Sequence, residues 1–376
     1  MLDLQEIRAE IDEIDDQMAA LFEKRMKLSA DVAEFKMETG KPVLDRGREQ
    51  EKLRKIHDQA DTPFNAAALT ELFRQMMASS RKLQYRMMSQ RGVMEEFPFQ
   101  RVHSLPMGRK KVVFQGEEGA YSFTAMNSFF GESVDNFHVE TWKDAMDAIS
   151  EGRADYAVLP IENSTAGIVA DIYDLLVQYN HSIVGEQIIQ VDHALMAPKN
   201  STLDEIRTVY SHPQALAQCK KFLERHPQWK QVPWLNTATA AKKVKEDNDL
   251  TQAAIASPYA AQCFGLQILK PHVFSSQNNS TRFIIVSREN YYAENAGKIS
   301  ICFEIPHESG SLYNILSHFI FNNLNMTKIE SRPIPERNWE YRFFVDFEGN
   351  LAEDSVKNAL HGIGQEAGNL RILGNY

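Results

Sequence analysis

The sequence predicts a multidomain chain with three architectures in order: an all-α front, an α/β middle, and a small α+β end with a βαββαβ pattern. Three observations carry this. The length of 376 residues leaves room for two or three domains rather than one core. The hydrophobic period changes twice along the chain, from a heptad to alternating strand and helix, and then to short strands around two helices. Charge is unevenly spread: residues 1–92 hold 16 Lys+Arg against 17 Asp+Glu, residues 93–376 hold 25 against 34, and the net charge is −10.

In the front segment, 1–92, the apolar positions Ile7, Ile11, Ile14, Met18, Leu21, Leu28, Val32 and Phe35 alternate by four and three with one gap, which is a heptad seam. No proline or glycine falls between Met1 and Gly40, so a helix of some 34 residues is expected, about 50 Å long at ~1.5 Å per residue. A second helix starts near Asp45, after Pro42, and a third covers Ala66 to Arg86. Helices of such unequal length cannot bury a 50 Å stripe within one chain, so the seam implies a homo-oligomer, dimer or tetramer. Residues 87–109, Met-rich and then Phe97-Pro98-Phe99, Pro106 and Gly108, break the pattern, and a linker is expected over 93–109.

The middle segment, 110–288, alternates short β-branched or apolar runs (Lys110 to Gln115, Ala157 to Ile161, Thr208 to Tyr210, Ala253 to Ala256) with helical stretches, which argues a largely parallel sheet. The end segment, 298–376, reads strand 299–305, helix 310–323, strand 325–331, strand 339–347, helix 353–366 and strand 369–373, the order of a ferredoxin-like unit.

Several function classes are disfavoured. An acidic chain does not suit non-specific nucleic-acid binding. No apolar run approaches the roughly 18 residues of a spanning helix, and the N-terminus lacks a basic and then apolar leader, so a cytoplasmic protein off the membrane is expected. Cys219, Cys263 and Cys302 make no CxxC or metal-ligand spacing, so inert thiols that hold no metal are expected; no organic cofactor is expected either.

Polar residues interrupt the front seams where a simple dimeriser would place leucine. Arg25 fills the heptad gap, and a guanidinium on a buried stripe is costly unless it meets an anion. Lys36, eleven residues on, faces the same strip, whereas Arg8 points about 100° away, toward a neighbouring subunit. Asp45, Arg48 and Glu49 share a face of the second helix, and Ser80 and Gln84 interrupt the stripe of the third. Taken singly, each could pair across a dimer or set helix register. Together, four cations, two acids and two neutral hydrogen-bonders with no nucleophile or histidine suit a small dianion held in a fixed shape.

This segment resembles the all-helical chorismate mutase domain, whose pattern matches Arg8, Arg25, Lys36, Asp45, Arg48, Glu49, Ser80 and Gln84 one by one, most specifically in Pro42-Val43-x-Asp45-x-x-Arg48-Glu49. The resemblance implies an intertwined helical dimer that turns chorismate into prephenate by a pericyclic shift. The enzyme then needs only to hold the reactive conformer and stabilise charge on the breaking ether oxygen. By resemblance, Arg8 of a second subunit, Arg25 and Arg48 grip the carboxylates, Asp45 and Ser80 complete the binding set, Lys36 and Gln84 bond the ether oxygen, and Glu49 bonds the ring hydroxyl.

The middle segment repeats one device. Strand-to-helix junctions carry small hydroxyl or amide residues: Gly116 to Ser122, Glu162 to Gly167, Ser211-His212-Pro213-Gln214, Asn236 to Thr239, and Ser257-Pro258. Capping explains any one of them, while several meeting at the carboxyl ends of strands make an anion site. The strings Gly116...Gly119-x-Tyr121-Ser122, Leu159-Pro160-Ile161-Glu162-Asn163-Ser164, Tyr210-Ser211-His212-Pro213-Gln214 and Asn279-x-Thr281-Arg282-Phe283 look like prephenate dehydratase. That implies a two-lobed fold akin to periplasmic binding proteins and conversion of prephenate to phenylpyruvate with loss of CO2 and the ring hydroxyl. Thr281 is then the hydrogen-bond or proton donor to that hydroxyl. Asn163, Ser211, Gln218 and Arg282 orient the carboxylates, Glu162 and Phe283 shape the site, and His212 is the less favoured acid.

The last 80 residues resemble an ACT domain, a regulatory module that binds amino acids. Glu330-Ser331-Arg332-Pro333 matches its phenylalanine-binding motif. Its companion, usually Gly-Ala-Leu-Val, reads Gly310-Ser311-Leu312-Tyr313, keeping Gly310 and Leu312. Together the resemblances imply a bifunctional enzyme of phenylalanine biosynthesis with L-phenylalanine as allosteric effector. Two rivals stand beside it: a mutase fused to a non-catalytic solute-binding sensor, and a dehydratase whose front helices only dimerise. Asn163 with Thr281 speaks against the first, the complete eight-residue set against the second.

Overall fold

The chain begins with three helices whose ends follow from local chemistry. The computed structural model describes residues 3–93, 96–108, 110–275, 278–308, 310–335 and 337–376; Met94, Glu95 and Arg109 of the expected linker lie outside the described residues. Helix α1 (Leu4–Thr39) starts where the Asp3 side chain accepts from the Gln5 amide and stops at Gly40, whose φ of 68° an L side chain rarely adopts. Helix α2 (Arg46–His57) is capped by Asp45, which accepts from the Arg48 amide at 3.1 Å. Helix α3 (Pro63–Gln90) has Thr62 as cap and Pro63 in its first turn, where a missing amide proton costs nothing. It outruns the expected Arg86 because Met87, Met88 and Gln90 are good helix formers and Gly92 is the first breaker.

The apolar stripe of α1 is uncovered in the single chain, with Leu4, Ile11, Ile14, Leu21 and Leu28 all exposed, Leu21 to 66%. An exposed apolar face of that length is unusual for a surface helix.

From Gln100 to Ala293 the chain forms, in order, β1 (Gln100–Val102), β2 (Lys111–Gln115), α4 (Tyr121–Phe130), β3 (Asp135–Val139), α5 (Trp142–Ser150), β4 (Tyr156–Asn163), β5 (Gly167–Ile168), α6 (Ala170–Gln178), β6 (Ser182–Gln190) and β7 (Ala194–Ala197). There follow β8 (Thr208–Ser211), α7 (Pro213–Gln218), α8 (Lys220–Leu223), β9 (Lys230–Pro233), α9 (Thr237–Asp247), β10 (Gln252–Ala256), α10 (Pro258–Phe264), β11 (Gln267–Lys270), β12 (Ser280–Ser287) and β13 (Tyr291–Ala293). Apart from the β1-β13 pair, these strands fall in two sheets, one containing the order β3-β2-β4-β12-β6 and the other β11-β7-β10-β8-β9.

Both sheets are mixed rather than largely parallel. β2 runs parallel to β3 and β4, and β8 runs parallel to β9 and β10, as right-handed crossovers through helices require. β12, however, returns from the second sheet and inserts antiparallel between β4 and β6, which sets Thr281 directly across from Asn163. Most of the expected linker is not a strand, but Gln100–Val102 pairs in parallel with β13.

The two sheets meet at a glycine. Gly119 has φ +87°, and a Cβ there would come within 2.8 Å of the Ala260 Cα, while the Ser257 hydroxyl donates to the Gly119 carbonyl at 2.7 Å. The Gly116–Ser122 and Ser257-Pro258 junctions, 138 residues apart, are thus stacked on one another because position 119 has no side chain.

The chain ends as β14 (Lys298–Glu304), α11 (Ser311–Phe321), β15 (Met326–Pro333), β16 (Tyr341–Glu348), α12 (Asp354–Glu366) and β17 (Gly368–Asn375), the βαββαβ order read from the sequence. Its sheet order is β15-β16-β14-β17, and Phe319 packs edge-on against Phe347 at 5.1 Å in the core beneath α11. Contacts divide the whole into two units: Met1–Pro98 with Ala296–Ile372, and Phe99–Asn295 with Leu373–Tyr376.

Candidate active sites

The first unit contains a cavity of about 440 Å³ walled by α1, α2 and α3. Seven of the eight front-segment residues singled out from the sequence line it: Arg25, Lys36, Asp45, Arg48, Glu49, Ser80 and Gln84. Arg8 is exposed on α1 and is not part of the lining. Heptad spacing brings Arg25 and Lys36 to one wall, the cap of α2 brings Asp45, Arg48 and Glu49 to the second, and an i, i+4 step brings Ser80 and Gln84 to the third.

Each polar group is held. Arg25 Nη1 donates to the Met76 carbonyl at 2.9 Å and to the Ser80 hydroxyl, and Ser29 links to Ser80 at 3.1 Å. Lys36 Nζ donates to the Val43 carbonyl at 2.6 Å. Burial lowers the pKa of both Arg25 and Lys36, opposed by Glu49 for the first and by Asp45 and Glu49 for the second. Neither Arg25 nor Arg48 has a carboxylate in ion-pair range among the described residues. Gln84 is buried among the cavity walls with its Oε1 unpartnered. Lys52, Lys55, Arg81 and Glu51 complete the charges, giving six basic side chains against three acidic ones around the cavity. A preorganised cationic pocket of this kind is suited to a dianion.

Of the four lining charges missed from the sequence, Arg81 is the buried one. Arg81 is 6% exposed, and its Nη1 lies 2.7 and 2.6 Å from the two Glu49 oxygens. Beside Ser80 in an apolar helix stripe, a basic residue was the available signal.

The second unit brings a different set together. Because β12 pairs antiparallel with β4, Thr281 and Asn163 share one sheet face. The Asn163 Oδ1 accepts from the Thr165 amide at 3.0 Å, the Ala166 amide at 2.9 Å and the Thr165 hydroxyl at 2.7 Å. Backbone donors on that oxygen fix which end of the amide is nitrogen, so Nδ2 faces Thr281 Oγ1 at 3.0 Å, as well as Asn279 Oδ1 at 2.9 Å. Thr281 Oγ1 thereby accepts a hydrogen bond and keeps its own proton for a ligand. Asn279, 2% exposed, has an unpartnered Nδ2 beside it. The chain of contacts continues from Thr165 Oγ1 to Gln218 Nε2 at 3.3 Å, from Gln218 Oε1 to His193 Nε2 at 2.9 Å, and from His193 Nδ1 to the Tyr121 hydroxyl at 3.0 Å. Burial lowers the His193 pKa and raises that of Tyr121, so both are neutral positioning groups. His193 follows β6 without any motif around it, which is why it was not read from the sequence.

Five further candidates are engaged by the fold. Ser211 is 0% exposed and donates to the Ile255 carbonyl at 2.6 Å, so it ties β8 to β10. Arg282 and Glu162 pair across β12 and β4 one residue along from Thr281, hence on the opposite face, where Arg282 lies 3.6 Å from Glu162 and 3.3 Å from Glu186. Phe283 is buried among Val112, Phe114 and Ile285 as a core residue. His212, the less favoured acid, caps α7 by accepting from the Gln214 amide at 3.3 Å, and burial lowers its pKa.

In the terminal βαββαβ segment, Gly310 has φ 82° and precedes α11, with Leu312 in the first turn. Glu330, Ser331, Arg332 and Pro333 close β15, opposite Phe344, Phe343, Arg342 and Tyr341 of β16.

Comparison with known proteins agrees with the geometry. The chorismate mutase type II model matches residues 7–85 and the prephenate dehydratase model residues 112–291. The bifunctional chorismate mutase/prephenate dehydratase of Escherichia coli strain K12 is 30% identical over 98% of this chain and 95% of its own. That of Aquifex aeolicus is 31% identical over 100% and 98%. Among solved structures, prephenate dehydratase from Arthrobacter aurescens in complex with L-Phe is 29% identical with a TM-score of 0.66, covering 71% of this chain and 89% of its own. A protein described as GqqA, a novel type of quorum quenching acylase, is 31% identical with a TM-score of 0.65, over 70% and 97%. No helix among the described residues is long and apolar enough to cross a membrane. With mutase and dehydratase matches in the same order as the two polar sites, the chain belongs to the bifunctional chorismate mutase/prephenate dehydratase family.

Proposed function

We propose that the chain converts chorismate to prephenate in the α1–α3 cavity and prephenate to phenylpyruvate at Thr281, under the control of L-phenylalanine bound by its terminal segment. In the cavity Arg25 and Arg48, with Arg8 of a second copy, hold the two carboxylates. Lys36 and Gln84 donate to the ether oxygen as its bond to carbon breaks, and Glu49 accepts from the ring hydroxyl. No group needs to exchange a proton with the substrate, which accords with a site of fixed cations and amides.

At the second site the Thr281 hydroxyl donates to the departing ring hydroxyl while the carboxylate leaves as CO2. The electron pair freed by decarboxylation aromatises the ring, water departs, and one proton is consumed overall. The observation that carries this is the Asn163 hydrogen bond into Thr281 Oγ1: an accepted bond polarises the hydroxyl and makes its proton a better one to give.

The terminal segment is read as a ferredoxin-like ACT module, and the enzyme as a cytoplasmic homo-oligomer joined along the exposed α1 stripe. Two features support an effector site for L-phenylalanine: the Gly310–Leu312 and Glu330–Pro333 motifs, and the L-Phe complex of the Arthrobacter dehydratase. Calorimetric titration with L-phenylalanine should show saturable binding that Ser331→Arg weakens tenfold or more, about 1.4 kcal/mol, while both turnovers without effector persist. Equal binding by the two proteins would remove the effector from this segment.

A further inference from the structure

Glu49 does not stand alone in the mutase cavity. Arg81, which takes both Glu49 oxygens through Nη1, also donates through Nε to Glu366 Oε1 at 2.8 Å. Glu366 is the last residue of α12, 285 positions further along the chain, and its side chain is only 10% exposed. His318 of α11 lies on the far side, with Nε2 3.3 Å from the same Glu366 oxygen. The adjacent Lys82 runs the same way, its Nζ 2.8 Å from the Ser317 hydroxyl. Thus two consecutive charged residues of α3, on a helix face that would otherwise be apolar, are both satisfied by the terminal βαββαβ segment.

A buried guanidinium between two carboxylates is clamped in its plane, because its two donor edges are used by different partners. Remove one carboxylate and the guanidinium can pivot about the other, or turn toward a substrate carboxylate in the cavity it lines. Either movement takes Glu49 with it. Glu366 is itself strongly held as an anion: the hydrogen bond from His318 and the Arg81 guanidinium outweigh its burial and bring its pKa down to about 2. The packing that delivers it is tight, since a Cβ on Gly362 of α12 would come 2.4 Å from the His318 ring.

We propose that Glu366, supplied by the terminal segment, is a positioning residue of the mutase site, acting through Arg81 to fix the Glu49 carboxylate. This rests on the reading of Glu49 as a group that touches chorismate. The mutase site is then built from both ends of the chain, and the front helices alone carry an Arg81 with one anion missing.

The test uses the full-length protein and steady-state chorismate consumption, with dehydration of supplied prephenate as an internal measure of folding. Glu366→Gln should lower mutase kcat/KM about tenfold, within the range of coupling between neighbouring groups, and leave dehydration unchanged. Glu366→Asp should recover part of the loss, and Arg81→Lys, which keeps charge but lacks the fork, should reproduce it. In a Glu49→Gln background, itself impaired, Glu366→Gln should add little. An undiminished mutase in Glu366→Gln, or the same fold-loss with and without Glu49, would overturn the proposal. Full mutase activity in Glu49→Gln alone would instead remove the reading of Glu49 on which it rests.

Discussion

Thr281→Ala should stop phenylpyruvate formation while chorismate continues to disappear, so that prephenate accumulates. A positioned hydrogen-bond or proton donor contributes about 10²–10⁴-fold to such a step, and no other hydroxyl occupies this place on β12. The fold should survive. Asn163 Nδ2 keeps Asn279 Oδ1 and the Ser280 carbonyl as partners, and the Thr281 backbone stays in the ladder with Asn163 and Ile189. The lost bond is worth about 1 kcal/mol of stability. Parallel assays of chorismate consumption and phenylpyruvate appearance check this. Equal loss of both activities in a folded variant would contradict the assignment of separate sites.

Arg25→Ala should do the reverse, removing chorismate turnover and sparing dehydration of supplied prephenate. Truncating one member of a desolvated charge pair costs about 2–5 kcal/mol, or roughly 30- to 4,000-fold in rate. Stability should move in the other direction or not at all. The guanidinium is partly buried without a carboxylate partner, and burial lowers its pKa, so the empty protein holds this cation at a cost that substrate repays. Its neighbours remain satisfied, since Ser80 still bonds Ser29 and the Met76 carbonyl. Thermal unfolding of the variant at or above the wild-type midpoint, together with lost mutase activity, is the expected pair of results. A variant that rearranges chorismate at the wild-type rate would refute the role.

What was legible in the sequence was whatever local chemistry determines. The α1 seam, its gap at Arg25, the start of a second helix near Asp45 and the βαββαβ order all follow from spacing within a few turns of chain, and the structure has each of them. Seven residues reach one cavity because three helix faces were each readable on their own. Long-range pairing was not legible. The antiparallel insertion of β12 depends on a return from the second sheet, and it decides that Thr281 and Asn163 share a face while Arg282 and Glu162 share the other. A motif names consecutive residues together, but a strand separates them. Arg81 shows the same limit: its burial is made possible by Glu366, and nothing near position 81 announces that partner. Ser211 carried a site-like motif yet serves the backbone, as hydroxyls at strand ends often do.

The most direct test of the account is to supply chorismate alone to the purified protein and follow all three compounds with time. Prephenate should rise transiently and fall, with phenylpyruvate approaching the chorismate consumed. Stoichiometric prephenate with no phenylpyruvate would make the middle segment a binding module. Untouched chorismate, with supplied prephenate still converted, would reduce the front helices to a dimerisation device. Either result would contradict a chain with two working active sites.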